Sequence, residues 1–212
     1  MSSMVEQLLY SVPAVLIAIC LHEYAHGYVS YLMGDPTPKL RGRLSLNPLH
    51  HLDPVGTLCL IFFHFGWAKP VMVNPNYYRH RKRGMVLVAL AGPMMNFLIA
   101  FLSMLGMGII LKQTGGYADG AIVYVYTFLN YCAILNIGLG SFNLIPFPPL
   151  DGSKILGAVL PEHKYFAYMR YEHIGQGILM ILLVTNLLDV PLDWLHTSIT
   201  NGIWQLVNTI IF

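Results

Sequence analysis

The chain alternates long apolar runs with shorter polar connections. Three runs dominate, at 8–33, 85–111 and 121–147, and the second and third contain no Asp, Glu, Lys or Arg. A fourth, 172–190, has an apolar centre of 15 residues, Ile174 to Leu188, and draws on its flanks. Crossing a hydrocarbon core takes about 20 helical residues, so the pattern predicts about four transmembrane helices. Between the first two lies a polar loop, 34–84, with one short apolar insert, TLCLIFFHFGW at 57–67. That insert is short enough to be re-entrant, interfacial or strand-like rather than spanning. Within the loop, Arg41–Leu46 and Lys69–Val73 alternate between Gly and Pro breakers, which predicts a small membrane-associated β segment.

The last stretch, 191–212, reads differently. Leu195, Ile199, Ile203, Leu206 and Ile210 share one helical face, opposite Ser198, Asn201, Gln205 and Asn208. Trp194 and Trp204 suit the headgroup level. The pattern predicts an amphipathic helix in the interface, with a fifth span as the alternative. The expectation is an all-α polytopic membrane protein, a single membrane-embedded domain over 1–212.

Composition agrees: 56% of the 212 residues are hydrophobic and 10% are charged, against about 25% charged in soluble domains. A net charge of +2 gives no reason to expect a nucleic-acid partner. Placement of charge matters more. Eleven of the 12 Lys and Arg residues fall in 34–84 or after the third run, and only Lys112 falls elsewhere. With four spans both basic connections share one side, so the N-terminus is expected outside and the basic loops in the cytoplasm. The first run lacks a basic n-region and a small-residue cleavage site, so it is expected to be a retained span. Cys20, Cys59 and Cys132 show no paired spacing and read as small apolar fillers.

The first run is interrupted by His22-Glu23-Tyr24-Ala25-His26, an H-E-x-x-H match. Histidines four apart share a helix face and can reach one ion, for which zinc is the natural choice. Glu23 lies around the helix, where it can reach a water on the metal. Ionisable residues inside a membrane are costly and mark function. A catalytic zinc wants a third protein ligand. In SFNLIPFPPLDGSKIL, 141–156, Pro146, Pro148 and Pro149 cannot continue a helix. They are expected to force an extended segment carrying Asp151 toward the bundle, with Gly152 at a tight turn. The residues alone leave two readings of Asp151 open, a third ligand or a solvated interfacial turn.

HEYAH in the first run, AGPMMN (91–96) in the second and NLIPFPPLDG (143–152) in the third resemble the site-2 protease family of intramembrane zinc metalloproteases. The resemblance spans roughly 8 to 190. It implies that His22, His26 and Asp151 hold one Zn2+ per chain and that Glu23 is the catalytic carboxylate. It also implies that Asn143 holds substrate backbone or the developing oxyanion. The substrate would be a transmembrane segment of a membrane protein, cut within the bilayer of a bacterial cytoplasmic membrane. RGRLSLNPLHHLDPVGT and GWAKPVMVNPNYY look like the loops flanking the active site in that family. There a strand edge at Val71 and Val73 is expected to pair with unwound substrate. Asn96 is expected to support the site by hydrogen bonds, with substrate contact as the lesser reading. No PDZ-type insertion is visible, so gating would fall to helix movement, the 34–84 loop or a separate regulatory membrane partner.

Two rivals use the same residues. A membrane di-iron oxygenase of the desaturase type would combine His22/His26 with His50-His51, but it needs a further histidine box and none is present. A non-enzymatic membrane metal carrier needs ligands without a general base, so Glu23 argues against it. The remaining histidines, His50, His51, His64, His80, His163 and His196, are expected in loops or at interfaces, ordinarily solvated. Glu172 and His173 are expected to anchor the start of the fourth span.

Overall fold

A computed structural model describes residues 4–54, 56, 68–117, 119–161, 164–165, 168 and 172–212. The short run 57–67, with Cys59 and His64, lies outside the described residues, as do His163 and Arg170. In chain order come α1 (Met4–Leu32), α2 (Thr37–Leu40), α3 (Arg81–Thr114), α4 (Gly120–Asn143), α5 (Asp151–Leu156), α6 (Glu172–Val184) and α7 (Asp189–Ile211). Short 3₁₀ turns sit at Pro48–His50 and Pro75–Tyr77. Lipid offers backbone groups no partners, so a spanning segment has to satisfy them within its own helix. α1, α3 and α4 are each long and apolar enough to cross a membrane; α6 and α7 add a fourth span only if counted as one, bent by 85°. α3 closes on Gly115 at φ 61°, whose N–H returns to Leu111 O, a left-handed cap that glycine adopts without strain.

At the fourth predicted span, 172–190, the helix is shorter than the run. α6 has 13 residues, about 20 Å of helix against a core of about 30 Å. Asn186 then turns the chain at φ 56°, and α7 starts at Asp189. The buried positions of α7 are Ile203, Val207 and Ile211, which join Ala100, Met104, Ala133 and Ile137 of α3 and α4 in one core. Leu206 and Ile210, on the same apolar face as Ile203, are 59% and 62% exposed. Lipid is as apolar as leucine, so shape rather than hydrophobicity selects the contact face. Gly108 provides the shape: a Cβ there would meet Ile211 Cδ1 at 2.5 Å and Val207 Cγ1 at 3.0 Å.

The predicted β segment is not present. Among the described residues the loop contains one isolated bridge, Leu52 to Ala68, and no strand. The backbone groups that a ladder would need are bonded elsewhere. Arg43 N–H donates to Pro38 O at 2.8 Å, and Ser45 O accepts from His51 Nε2 at 2.7 Å. Cys20 Sγ lies 3.4 Å from Leu46 O, and Val71 N–H donates to Glu23 Oε2 at 2.9 Å. The strand-edge role assigned to Val71 and Val73 falls with the strand. Val71 is tied to Glu23, and Val73 is half-buried.

Candidate active site

His22 and His26 lie one turn apart on α1 and both are buried. His26 Nδ1 is 2.6 Å from Val88 O. A carbonyl only accepts, so that nitrogen carries the proton and Nε2 keeps its lone pair. His22 Nδ1 is 2.6 Å from Asn96 Oδ1. The Asn96 amide nitrogen donates to Ala18 O at 3.2 Å and to Asn136 Oδ1 at 2.8 Å, which fixes the oxygen toward His22. The network thus assigns the same tautomer to both rings. Gly92 of α3 makes room for them, because a Cβ there would lie 2.4 Å from His26 Nε2 and 2.6 Å from His22 Cε1.

Asp151 arrives by a different route from the one predicted. α4 ends at Asn143, four residues before the expected boundary, and the prolines that follow give tight turns instead of an extended run. Phe147 N–H bonds to Ile145 O at 2.7 Å, and Leu150 N–H to Phe147 O at 2.9 Å. α5 begins on Asp151 and packs on α3. Gly152 allows a close approach: a Cβ would sit 2.3 Å from both Leu144 O and Ile145 O.

The result is a triangle of ligating atoms. His22 Nε2 and His26 Nε2 are 3.0 Å apart, and Asp151 Oδ2 is 3.2 and 3.0 Å from them. Three lone-pair atoms at that spacing repel unless a cation or proton lies among them. The edges are near the roughly 3.3 Å of a tetrahedron with bonds of about 2.0 Å, and two imidazoles with one carboxylate is a donor set of catalytic zinc. This is the group of three such side chains that the described residues bring close enough to share an ion.

The triangle borders a largely apolar cavity of about 960 Å³ whose lining includes His22, Glu23, Leu139, Asn143, Gln176 and His196. Glu23 is outside the triangle. One of its carboxylate oxygens accepts from Val71 N–H, and Arg43 lies close enough to feel its charge. Asn143 donates to Leu139 O at 3.0 Å, leaving the second amide hydrogen for another acceptor. Asn96 is fully buried with its oxygen and nitrogen engaged, so it stands behind His22 and offers substrate no surface. Replacing Asn96 with leucine removes the acceptor that orients His22. Zinc affinity is expected to fall by about 10–100-fold, measured by competition with a chelator.

Other residues depart from expectation. His196 lines the cavity from α7, and His51 is fully buried, its Nε2 on Ser45 O. Asn136, the partner of Asn96, escaped the sequence reading. An amide in an uncharged span, one of three there with Asn130 and Asn143, is the kind of costly intramembrane group that could have marked it.

Comparison with known proteins gives a consistent result. The model of peptidase family M50 matches residues 108–186, which include Asn143 and Asp151. The protein named "Putative zinc metalloprotease YwhC" of Bacillus subtilis is 35% identical over 182 residues, covering 84% of this chain and 81% of its own. "Putative zinc metalloprotease Rip2" of Mycolicibacterium smegmatis is 29% identical, over 82% of this chain and 66% of its own. "Zinc metalloprotease MJ0392" of Methanocaldococcus jannaschii is 26% identical, over 87% of this chain and 45% of its own. No solved structure gives a significant match.

Proposed function

The chain belongs to peptidase family M50, the site-2 proteases, and from that premise we propose how its residues cut a peptide bond inside the membrane. It is a multi-pass membrane zinc metalloprotease acting on membrane proteins. His22, His26 and Asp151 hold the zinc. The convergence of their three ligating atoms within 3.2 Å at the wall of an apolar cavity carries this assignment. Zinc held there supplies Lewis acidity toward water and the scissile carbonyl.

Glu23 is the general base. With one oxygen steadied by Val71 N–H, the other takes the proton of the attacking water and hands it to the leaving amine. Asn143, which lines the same cavity as Glu23, steadies the scissile peptide through its amide. A substrate helix hides its carbonyls in its own hydrogen bonds, so it has to unwind locally to enter. On the positive-inside rule, the basic loops support a reading in which the zinc end of the bundle faces the cytoplasm, and a separate membrane partner is a candidate for gating. The oxygenase reading gains no support: His51 is spent on Ser45 O, away from the triangle.

The test uses the purified chain in bilayer nanodiscs with a single-span substrate. Cleavage is expected within the apolar segment, as mapped by mass spectrometry. It should stop on chelation and return with one equivalent of zinc. A cut confined to the soluble flanks, or one indifferent to chelation, would overturn the reading.

A further inference from the structure

The loop that supplies Val71 N–H to Glu23 is held by side chains rather than by a sheet. We propose that Asp35 is a positioning residue. With Arg43 it pins the 69–74 segment along α1 so that Val71 N–H orients the Glu23 carboxylate. The inference rests on the assignment of Glu23 as the base.

The segment has three fixed points. At its start, Lys69 N–H bonds to His51 O at 2.9 Å, and the buried Arg43 guanidinium bridges Lys69 O and His50 O. In the middle, Val71 N–H reaches Glu23. At its end, Asn74 N–H bonds to Asp35 Oδ2 at 2.7 Å. Asp35 is fully buried and is itself anchored. Ser30 Oγ donates to Oδ2 at 2.8 Å and Thr37 N–H to Oδ1 at 2.9 Å. With the Ser30 hydrogen committed, the Tyr78 hydroxyl, 2.7 Å from Ser30 Oγ, has to be the donor in that pair. Burial opposes ionisation of Asp35, but the hydrogen bonds from Thr37, Asn74 and Ser30 outweigh it and hold the carboxyl below its usual range.

The geometry matches along the helix. Glu23 and Ser30 are two turns apart on one face of α1, about 10.5 Å. Val71 and Asn74 are three residues apart, about 10 Å if extended. The two anchors on α1 are therefore spaced as the segment is. Gly27 lies between them, where a Cβ would meet Leu44 Cδ2 at 3.0 Å and Val71 Cγ1 at 3.3 Å, so the segment rests against bare helix. Among the described residues, Asp35 and Arg43 make no hydrogen bond or ion pair with His22, His26 or Asp151.

Asp35→Asn removes the negative charge and one acceptor oxygen, and whichever way the amide turns its NH2 group faces a donor, Asn74 N–H and Ser30 Oγ at the Oδ2 position or Thr37 N–H at the Oδ1 position. The experiment compares wild type and Asp35→Asn, zinc-loaded in nanodiscs, by amide hydrogen exchange, zinc content and steady-state cleavage. Exchange over 69–78 is expected to rise while α1 and α3 stay protected and zinc stays at one per chain. The value of kcat is expected to fall by up to about a hundredfold, the scale of misplacing a catalytic group by about 1 Å, with KM unchanged. Unchanged exchange over 69–78, or faster exchange with kcat intact, would overturn the proposal, as would a loss confined to KM. If Asp35→Asn fails to fold, Ser30→Ala decides. It is expected to move exchange and kcat the same way by less, and no movement in either would overturn the proposal. A wild type that cuts nothing while Asp35→Asn still frees the segment would remove the protease reading and leave the clamp.

Discussion

Glu23→Gln is expected to keep a full complement of zinc and lose cleavage by about 10²–10⁴-fold, the range of general acid–base catalysis. Glutamine has the same shape, and its amide oxygen can still accept from Val71 N–H, which Glu23 Oε2 meets at 2.9 Å. It has no basic oxygen to take a proton. Glu23 lies outside the ligand triangle, so the metal has no reason to leave. Metal content and initial rate on the same preparation separate the two effects. Zinc retained with the rate intact would move the base elsewhere and revive a carrier role.

Gly92→Ala is expected to strip the zinc without altering any ligand. The new Cβ would lie 2.4 Å from His26 Nε2 and 2.6 Å from His22 Cε1, well inside van der Waals contact. α3 cannot easily yield, because Val88 and Asn96, on either side of Gly92, hold the two imidazoles by hydrogen bonds. The rings have to move, and the triangle opens. Gly138→Ala is the matched control. It lines the cavity, but a Cβ there meets nothing within 4 Å, so zinc is expected to stay. Metal analysis after purification, with circular dichroism to show that both variants remain helical, checks the pair.

The parts of the molecule that were legible in the sequence are those whose cause is local. Spans 8–33 and 85–111 appear as Met4–Leu32 and Arg81–Thr114, since lipid forces an apolar run into a helix. The histidine pair needs only a four-residue spacing. Asp151 needed the fold, because turns after Asn143 rather than an extended run bring it back. Which residues of α7 meet the bundle was not legible, because in lipid apolar pattern alone does not choose neighbours. Least legible were Arg43 and Asp35. Their partners are backbone groups 26 and 39 residues away, and no periodicity records a side chain's debt to a distant amide. Where alternation suggested strands at 41–46 and 69–73, the backbone meets side chains of α1 instead, Cys20 at Leu46 O and Glu23 at Val71 N–H.

The most direct measurement is metal analysis by mass spectrometry on purified wild type and Asp151→Ala. One zinc per chain and no iron is predicted for wild type, with zinc lost from Asp151→Ala because Asp151 Oδ2 closes the triangle at 3.0 and 3.2 Å. Two irons in wild type, or a full zinc in Asp151→Ala, would contradict the account.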